Sequence, residues 1–154
     1  MKKTNKSELI IAILIPLAVG SLSALLSGNK TAFSLLTKPP ISPPAWVFPV
    51  VWTVLYILMG ISYYMIYVSG DKRKSMALKL YVVQLFFNFF WSIFFFGFLH
   101  LLFAFFWLIA LIVLVGIMIR QFIRIRPLAG YLQIPYLLWC LFAAVLNYMF
   151  YLYN

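Results

Sequence analysis

The chain has 154 residues, 66% of them apolar and only 9% charged, so no polar shell could cover a water-facing globule. Its net charge of +10 sits between long apolar runs instead of forming a stripe, which argues against nucleic acid as a partner. A single cysteine and a single histidine exclude a disulfide framework and any multi-Cys or multi-His metal centre.

These constraints predict an all-α membrane protein, one five-transmembrane-helix domain in the cell membrane. About 20 helical residues at roughly 1.5 Å rise each cross a hydrocarbon core of about 30 Å. The first span covers residues 9–27. Its basic start and its small residues Gly20, Ser21, Ser23 and Ala24 also fit a cleavable signal peptide, but the apolar stretch continues through Leu25 and Leu26, so retention is preferred. An outer loop, 28–45, carries Lys38-Pro39-Pro40-Ile41-Ser42-Pro43-Pro44. Its prolines fix φ and lack amide protons, giving either a roof across the bundle or a rigid spacer. The second span is 46–68, with Pro49 in its first turn. The uncharged stretch 80–119 is twice the length of one crossing and must fold back near Gly97 and His100, giving spans 78–98 and 101–123. The fifth span is 130–152. Pro16 and Pro135 lie deeper in their spans and are expected to kink them.

Ten of the twelve basic residues fall in three segments on one side of this arrangement. They are Lys2, Lys3 and Lys6; Lys72, Arg73, Lys74 and Lys79; and Arg120, Arg124 and Arg126. Only Lys30 and Lys38 fall on the other side, so the positive-inside rule places the N-terminus in the cytoplasm and the C-terminus outside.

Polar side chains within spans usually face other helices or a cavity. Gln84, Asn88 and Trp91 share one face of the third helix; Trp52, Tyr56, Met59 and Tyr63 share one on the second; Trp139, Ala143 and Asn147 share one on the fifth. Counting rise along each helix brings these faces together in the outer half of the bundle. A cavity there, walled by indoles and an amide and roofed by the proline loop, would suit a flat aromatic ligand. Small side chains at Ala143 and Ala144 would leave room beside Trp139. The competing reading is that the amides only hydrogen-bond across helices and the rings only fill the core. Trp46, Tyr148, Tyr151 and Tyr153 fit interfacial anchors, and Trp107 fits packing or lipid contact. Glu8 and Asp71 are the only acidic side chains, and both lie at span ends. No buried charge is available for ion coupling, and no acid-base pair or nucleophile triad for hydrolysis.

The segment Lys38-Pro-Pro-Ile-Ser-Pro-Pro-Ala-Trp-Val-Phe-Pro-Val-Val-Trp-Thr-Val-Leu-Tyr-Ile-Leu-Met-Gly60 resembles the translocator protein family, also called tryptophan-rich sensory proteins (TspO/MBR). The resemblance continues through Gln84-Leu-Phe-Phe-Asn-Phe-Phe-Trp-Ser92 and Pro135-Tyr-Leu-Leu-Trp-Cys-Leu-Phe-Ala-Ala-Val-Leu-Asn147. It implies a five-helix bundle, commonly homodimeric, that binds porphyrins and, in animal members, cholesterol and benzodiazepine-site drugs. It further implies a ligand cavity lined by Trp52, Asn88 and Trp139, with Pro43, Tyr56, Ala143 and Ala144 as neighbours and with Trp91 and Asn147 on the same faces. No cofactor is required; protoporphyrin IX enters as ligand or substrate, and Trp52 and Trp139 would support its light-dependent breakdown. No Lys or Arg follows Arg126, so the carboxy-terminal sterol motif of animal members is missing. Phe86, Phe87, Phe89 and Phe90 replace the small-residue repeat seen on the third helix of relatives, which leaves the dimer face open.

Three functions follow as expectations. The first is a membrane receptor for a planar hydrophobic tetrapyrrole, its carboxylates near Lys30 or Lys38. The second is a photochemical enzyme using the same pocket, and the third an exporter of porphyrins or lipids.

Overall fold

The computed structural model describes residues 3–28 and 30–154. The readings that rest on Lys2 and on the Lys30 side chain lie outside the described residues. Five helical segments among them are long and apolar enough to cross a membrane. They are α1 (Lys6–Leu26), α3 (Val47–Tyr67), α4 (Lys74–Ser92) continued by a π-helical turn (Ile93–Gly97), α5 (Leu101–Ile125), and the pair α6 (Pro127–Tyr131) and α7 (Ile134–Tyr153). A single turn, α2 (Lys30–Ser34), interrupts the long loop.

The helix starts show why the boundaries move from those expected. Asn5 caps α1, its Oδ1 accepting from the Ser7 N–H at 3.0 Å, and Glu8 sits in the first turn where the helix dipole favours an anion. α4 begins at Lys74, four residues before the expected start, and the Lys74 ammonium turns back to the carbonyls of Tyr67 and Ser69 at the end of α3, both at 3.2 Å. A charge that reads as loop thus opens a helix. Pro135 corrects another expectation: it lies in the first turn of α7, after a break from α6, where the missing N–H costs nothing, so it starts a helix instead of kinking one. Pro16 is buried within α1.

α1 packs on α3, α4 on α5, and α5 on α7. α1 and α3 approach closely at Gly60, where an added Cβ would overlap the backbone of Ala12 and Ile13. Where lipid is the solvent such close backbone packing, not exclusion of water, holds helices together. Tyr64 Oη ties the end of α3 to the start of α1, accepting from the Asn5 N–H at 2.7 Å. Ser23 Oγ donates to the Phe89 carbonyl at 2.7 Å, joining α1 to α4. α5 turns a buried stripe of Leu101, Ala104, Leu108, Leu111, Val115, Met118 and Phe122 to its neighbours, at the three- and four-residue spacing of one helical face. Trp107 packs on Phe87, with centroids 4.3 Å apart, and its indole N–H donates to the Phe87 carbonyl at 2.7 Å.

The hairpin between α4 and α5 falls where Gly97 and His100 suggested, but its form is a π turn closed by Phe98 N–H to the Ile93 carbonyl at 2.9 Å. Leu99 follows with φ of 54°, a left-handed conformation costly for a branched residue. The extra residue re-aims Phe95 and Phe96 inward.

The ends of the bundle differ chemically. At one, Arg73 donates to both carboxylate oxygens of Asp71 at 3.0 and 2.8 Å and to the Arg124 carbonyl at 2.9 Å, linking two basic segments. These hydrogen bonds hold the Asp71 carboxyl down to about 2. At the other, the Asn154 side chain accepts from Thr37 N–H at 2.8 Å and donates to Thr37 carbonyl at 3.0 Å, fastening the proline loop to α7.

Candidate ligand-binding site

The three faces singled out from helical spacing turn inward. Tyr56, Met59, Gln84, Asn88, Trp91, Ala143 and Asn147 are buried, and Trp52, Tyr63 and Trp139 are half-buried. Trp46 is exposed at 67%, at the head of α3 and outside the bundle's interior.

Asn88 is the centre of a buried network. Its Oδ1 accepts from Tyr56 Oη at 2.8 Å, and its Nδ2 donates to Tyr136 Oη at 2.9 Å. Tyr136 Oη in turn donates to Gln84 Oε1 at 2.7 Å, so two phenols and two carboxamides join α3, α4 and α7. A second link runs from Trp91 Nε1 to Asn147 Oδ1 at 3.1 Å and from Asn147 Nδ2 to the Leu101 carbonyl at 2.8 Å. Both asparagines therefore satisfy their amides within the protein, which is the cross-helix role weighed against ligand contact.

Two cavities adjoin this network. The first, about 400 Å³, lies between α1, α3 and α4 and is lined by Gly20, Ser23, Ala24, Trp52, Tyr56 and Asn88 among others. The second, about 220 Å³, lies under the proline loop and takes Lys38, Ser42, Pro43, Trp139, Ala143 and Asn147 into its lining. Phe33, Phe48, Trp52, Trp91 and Phe96 belong to both. The expected single chamber is thus divided by an aromatic partition, in which Trp52 lies 5.5 Å from Tyr56 and 6.3 Å from Trp91, centroid to centroid. Asn88 and Tyr56 front the first space only, and Pro43, Trp139, Ala143 and Asn147 the second only. Ala144 is buried and lines neither; it packs in the core. The Trp139 ring lies 5.9 Å from Phe48, and its indole N–H is buried without a partner.

Two contributors escaped the sequence reading. Tyr136 occupies the same α7 face as Trp139, three residues before it, so the helical spacing was available to find it. The α1 residues Gly20, Ser23 and Ala24 read as a possible cleavage site, whereas here they floor a cavity. Gly20 is required for this, since an added Cβ would overlap the Tyr56 ring.

A five-helix membrane bundle with aromatic cavities under a proline loop agrees with the sequence resemblance, and comparison with known proteins decides it. The family model described as TspO/MBR family matches residues 12–152. The chain belongs to the TspO/MBR family. A "Tryptophan-rich protein TspO" from Archaeoglobus fulgidus is 36% identical over 152 residues, covering 97% of this chain and 99% of that one. A protein of the same name from Chlorobaculum tepidum is 33% identical, covering 94% of this chain and 95% of its own length. The "Translocator protein" of Ovis aries is 34% identical over 119 residues, 75% of this chain and 70% of its own. This TspO/MBR chain is accordingly an integral membrane protein, with five apolar helices to cross the bilayer.

Proposed function

We propose that this TspO/MBR protein is a membrane receptor for a planar hydrophobic tetrapyrrole, protoporphyrin IX or a close relative, taken up at the paired cavities. The observation that carries this reading is the shared aromatic partition, because Trp52 and Trp91 present rings to both spaces. The first cavity falls within the roughly 300–1,000 Å³ typical of small-molecule sites, and its lining is mostly apolar with a few convergent polar groups. Each well-placed ring contact with a macrocycle adds about 0.5 to 1.5 kcal/mol.

Titrating the purified protein with protoporphyrin IX in darkness, with quenching of tryptophan fluorescence as readout, tests this directly. Trp52→Phe and Trp139→Phe should each weaken binding; unchanged affinity in both, with folding intact, rejects the pocket. Illuminating the same samples tests a photochemical role for the two indoles, which requires faster porphyrin bleaching with the unaltered protein than with the double variant. A homodimer is part of the same reading and is tested by detergent-corrected mass in sedimentation.

A further inference from the structure

The basic end of the bundle holds cations at two levels. Lys72 and Arg126 stand in the connections beyond the helix ends. Lys79 and Arg120 stand within α4 and α5 themselves, and both are exposed. Lys79 is the sixth residue of α4 and Arg120 the sixth from the end of α5, so each lies roughly 8 Å inside its helix end at about 1.5 Å of rise per residue. Joined by the π turn, the two helices pack side by side in opposite directions. Their register is fixed by Arg73 donating to the Arg124 carbonyl at 2.9 Å and by Trp107 donating to the Phe87 carbonyl at 2.7 Å. Lys79 and Arg120 therefore share one depth.

Their neighbours at helical spacing are apolar. Met76, Val82, Val83 and Phe86 surround Lys79 on α4, and Val113 and Ile117 precede Arg120 on α5, all of them exposed. On a membrane-spanning helix such a surface meets acyl chains, and a cation set into it lays its stem along the helix and reaches for the headgroup level. No acid of the protein waits there. Asp71 is taken by Arg73 and Glu8 stands in the first turn of α1; among the described residues the ion pair is that of Arg73 with Asp71. Gly116, one turn from Arg120 on α5, has open space where a side chain would stand, which leaves a recess beside the arginine at acyl-chain depth.

We infer that Lys79 and Arg120 form a site for an anionic phospholipid of the leaflet at this end, its phosphate between the ammonium and the guanidinium and a chain running past Gly116. A guanidinium meets phosphate oxygens in pairs, and an ammonium answers as a point charge. Basic groups between helices at the membrane surface bind anionic headgroups, an attraction that fades within a Debye length. A zwitterionic lipid offers the same phosphate but brings its own ammonium, which the two cations repel. Lys72 and Arg126, beyond the helix ends, raise the local concentration of anionic lipid without holding a headgroup.

The test reconstitutes the purified full chain in nanodiscs of equimolar phosphatidylglycerol and phosphatidylcholine and reads the lipids that stay bound by native mass spectrometry, with circular dichroism to verify folding. The unaltered protein should retain phosphatidylglycerol at least roughly fivefold over phosphatidylcholine, the scale of one basic residue at an anionic surface. Lys79→Gln combined with Arg120→Gln should abolish the preference. Lys72→Gln combined with Arg126→Gln removes the same charge beyond the helix ends and should keep most of it. Equal losses in the two double variants would show a diffuse field and overturn the site, as would equal retention of the two lipids by the unaltered protein. Excess soluble glycerol phosphate should leave the bound lipid in place; displacement by it would assign the two cations to a free phosphate ester and overturn the lipid.

Discussion

Tyr136→Phe removes one oxygen atom from the centre of the bundle and is predicted to loosen the junction of α7 with α4. The phenol is fully enclosed, at 1% exposure, and makes two hydrogen bonds, accepting from Asn88 at 2.9 Å and donating to Gln84 at 2.7 Å. Its loss strands Asn88 Nδ2 and Gln84 Oε1, and Gln84 Nε2 already lacks a partner. Cross-helix hydrogen bonds in membrane proteins average about 0.6 kcal/mol with a maximum near 1.7, because the unfolded chain in lipid also finds partners. Two such bonds therefore amount to about 1 to 3 kcal/mol, and the ring volume is unchanged, so no cavity term enters. Reversible unfolding in mixed micelles, titrated with a denaturing detergent, measures it. A double-mutant cycle with Gln84→Leu should return a coupling of at least about 0.5 kcal/mol. A loss below about 0.5 kcal/mol for Tyr136→Phe, or purely additive effects in the cycle, would refute the claim that this network fastens α7 to α4.

Gly60→Ala should destabilise by about 1 to 3 kcal/mol, because the new methyl meets the α1 backbone, which cannot yield as a side chain does; Gly116→Ala, with open space around it, should be neutral or slightly stabilising in the same unfolding assay. Asp71 should titrate near 2 by carboxyl NMR, below its ordinary 3.8. Its folded-state value is depressed, so the stability it contributes is complete above the unfolded value and is lost as pH falls from about 4 toward 2; Arg73→Gln should return the midpoint toward 4. With the native Cys140 buried, a cysteine introduced at Ile41 should react with an impermeant maleimide in intact cells, and one introduced at Lys72 only after the cells are opened. Labelling of Lys72→Cys from outside would reverse the orientation drawn from charge.

The number and order of spans were legible because a bilayer demands a fixed length of apolar helix, and the chain can meet that demand in few ways. The inward faces of α3, α4 and α7 were legible for the same geometric reason: Trp52 and Tyr56, Asn88 and Trp91, Ala143 and Asn147 are separated by whole helical turns. What periodicity cannot convey is how rings interlock once the faces meet. Trp52 and Trp91 fill the middle and split one space into two, which depends on rotamers and on the π turn that re-aims Phe95 and Phe96. Nor could the spacing distinguish an amide waiting for a ligand from one already answered, and Asn88 and Asn147 prove to be answered by Tyr56, Tyr136, Trp91 and a carbonyl. Ala144, small and adjacent to Ala143, points a hundred degrees away around α7 and packs into the core.

The grip of Asn154 on Thr37 has a practical bearing. An affinity handle fused directly to Asn154 pulls on the last turn of α7 and, through one carboxamide, on the strap that carries Lys38 and Ser42. Handles attached before α1 sit at the opposite pole and leave that fastening alone, so ligand affinities measured with the two constructions should diverge before any side chain of the pocket has been altered.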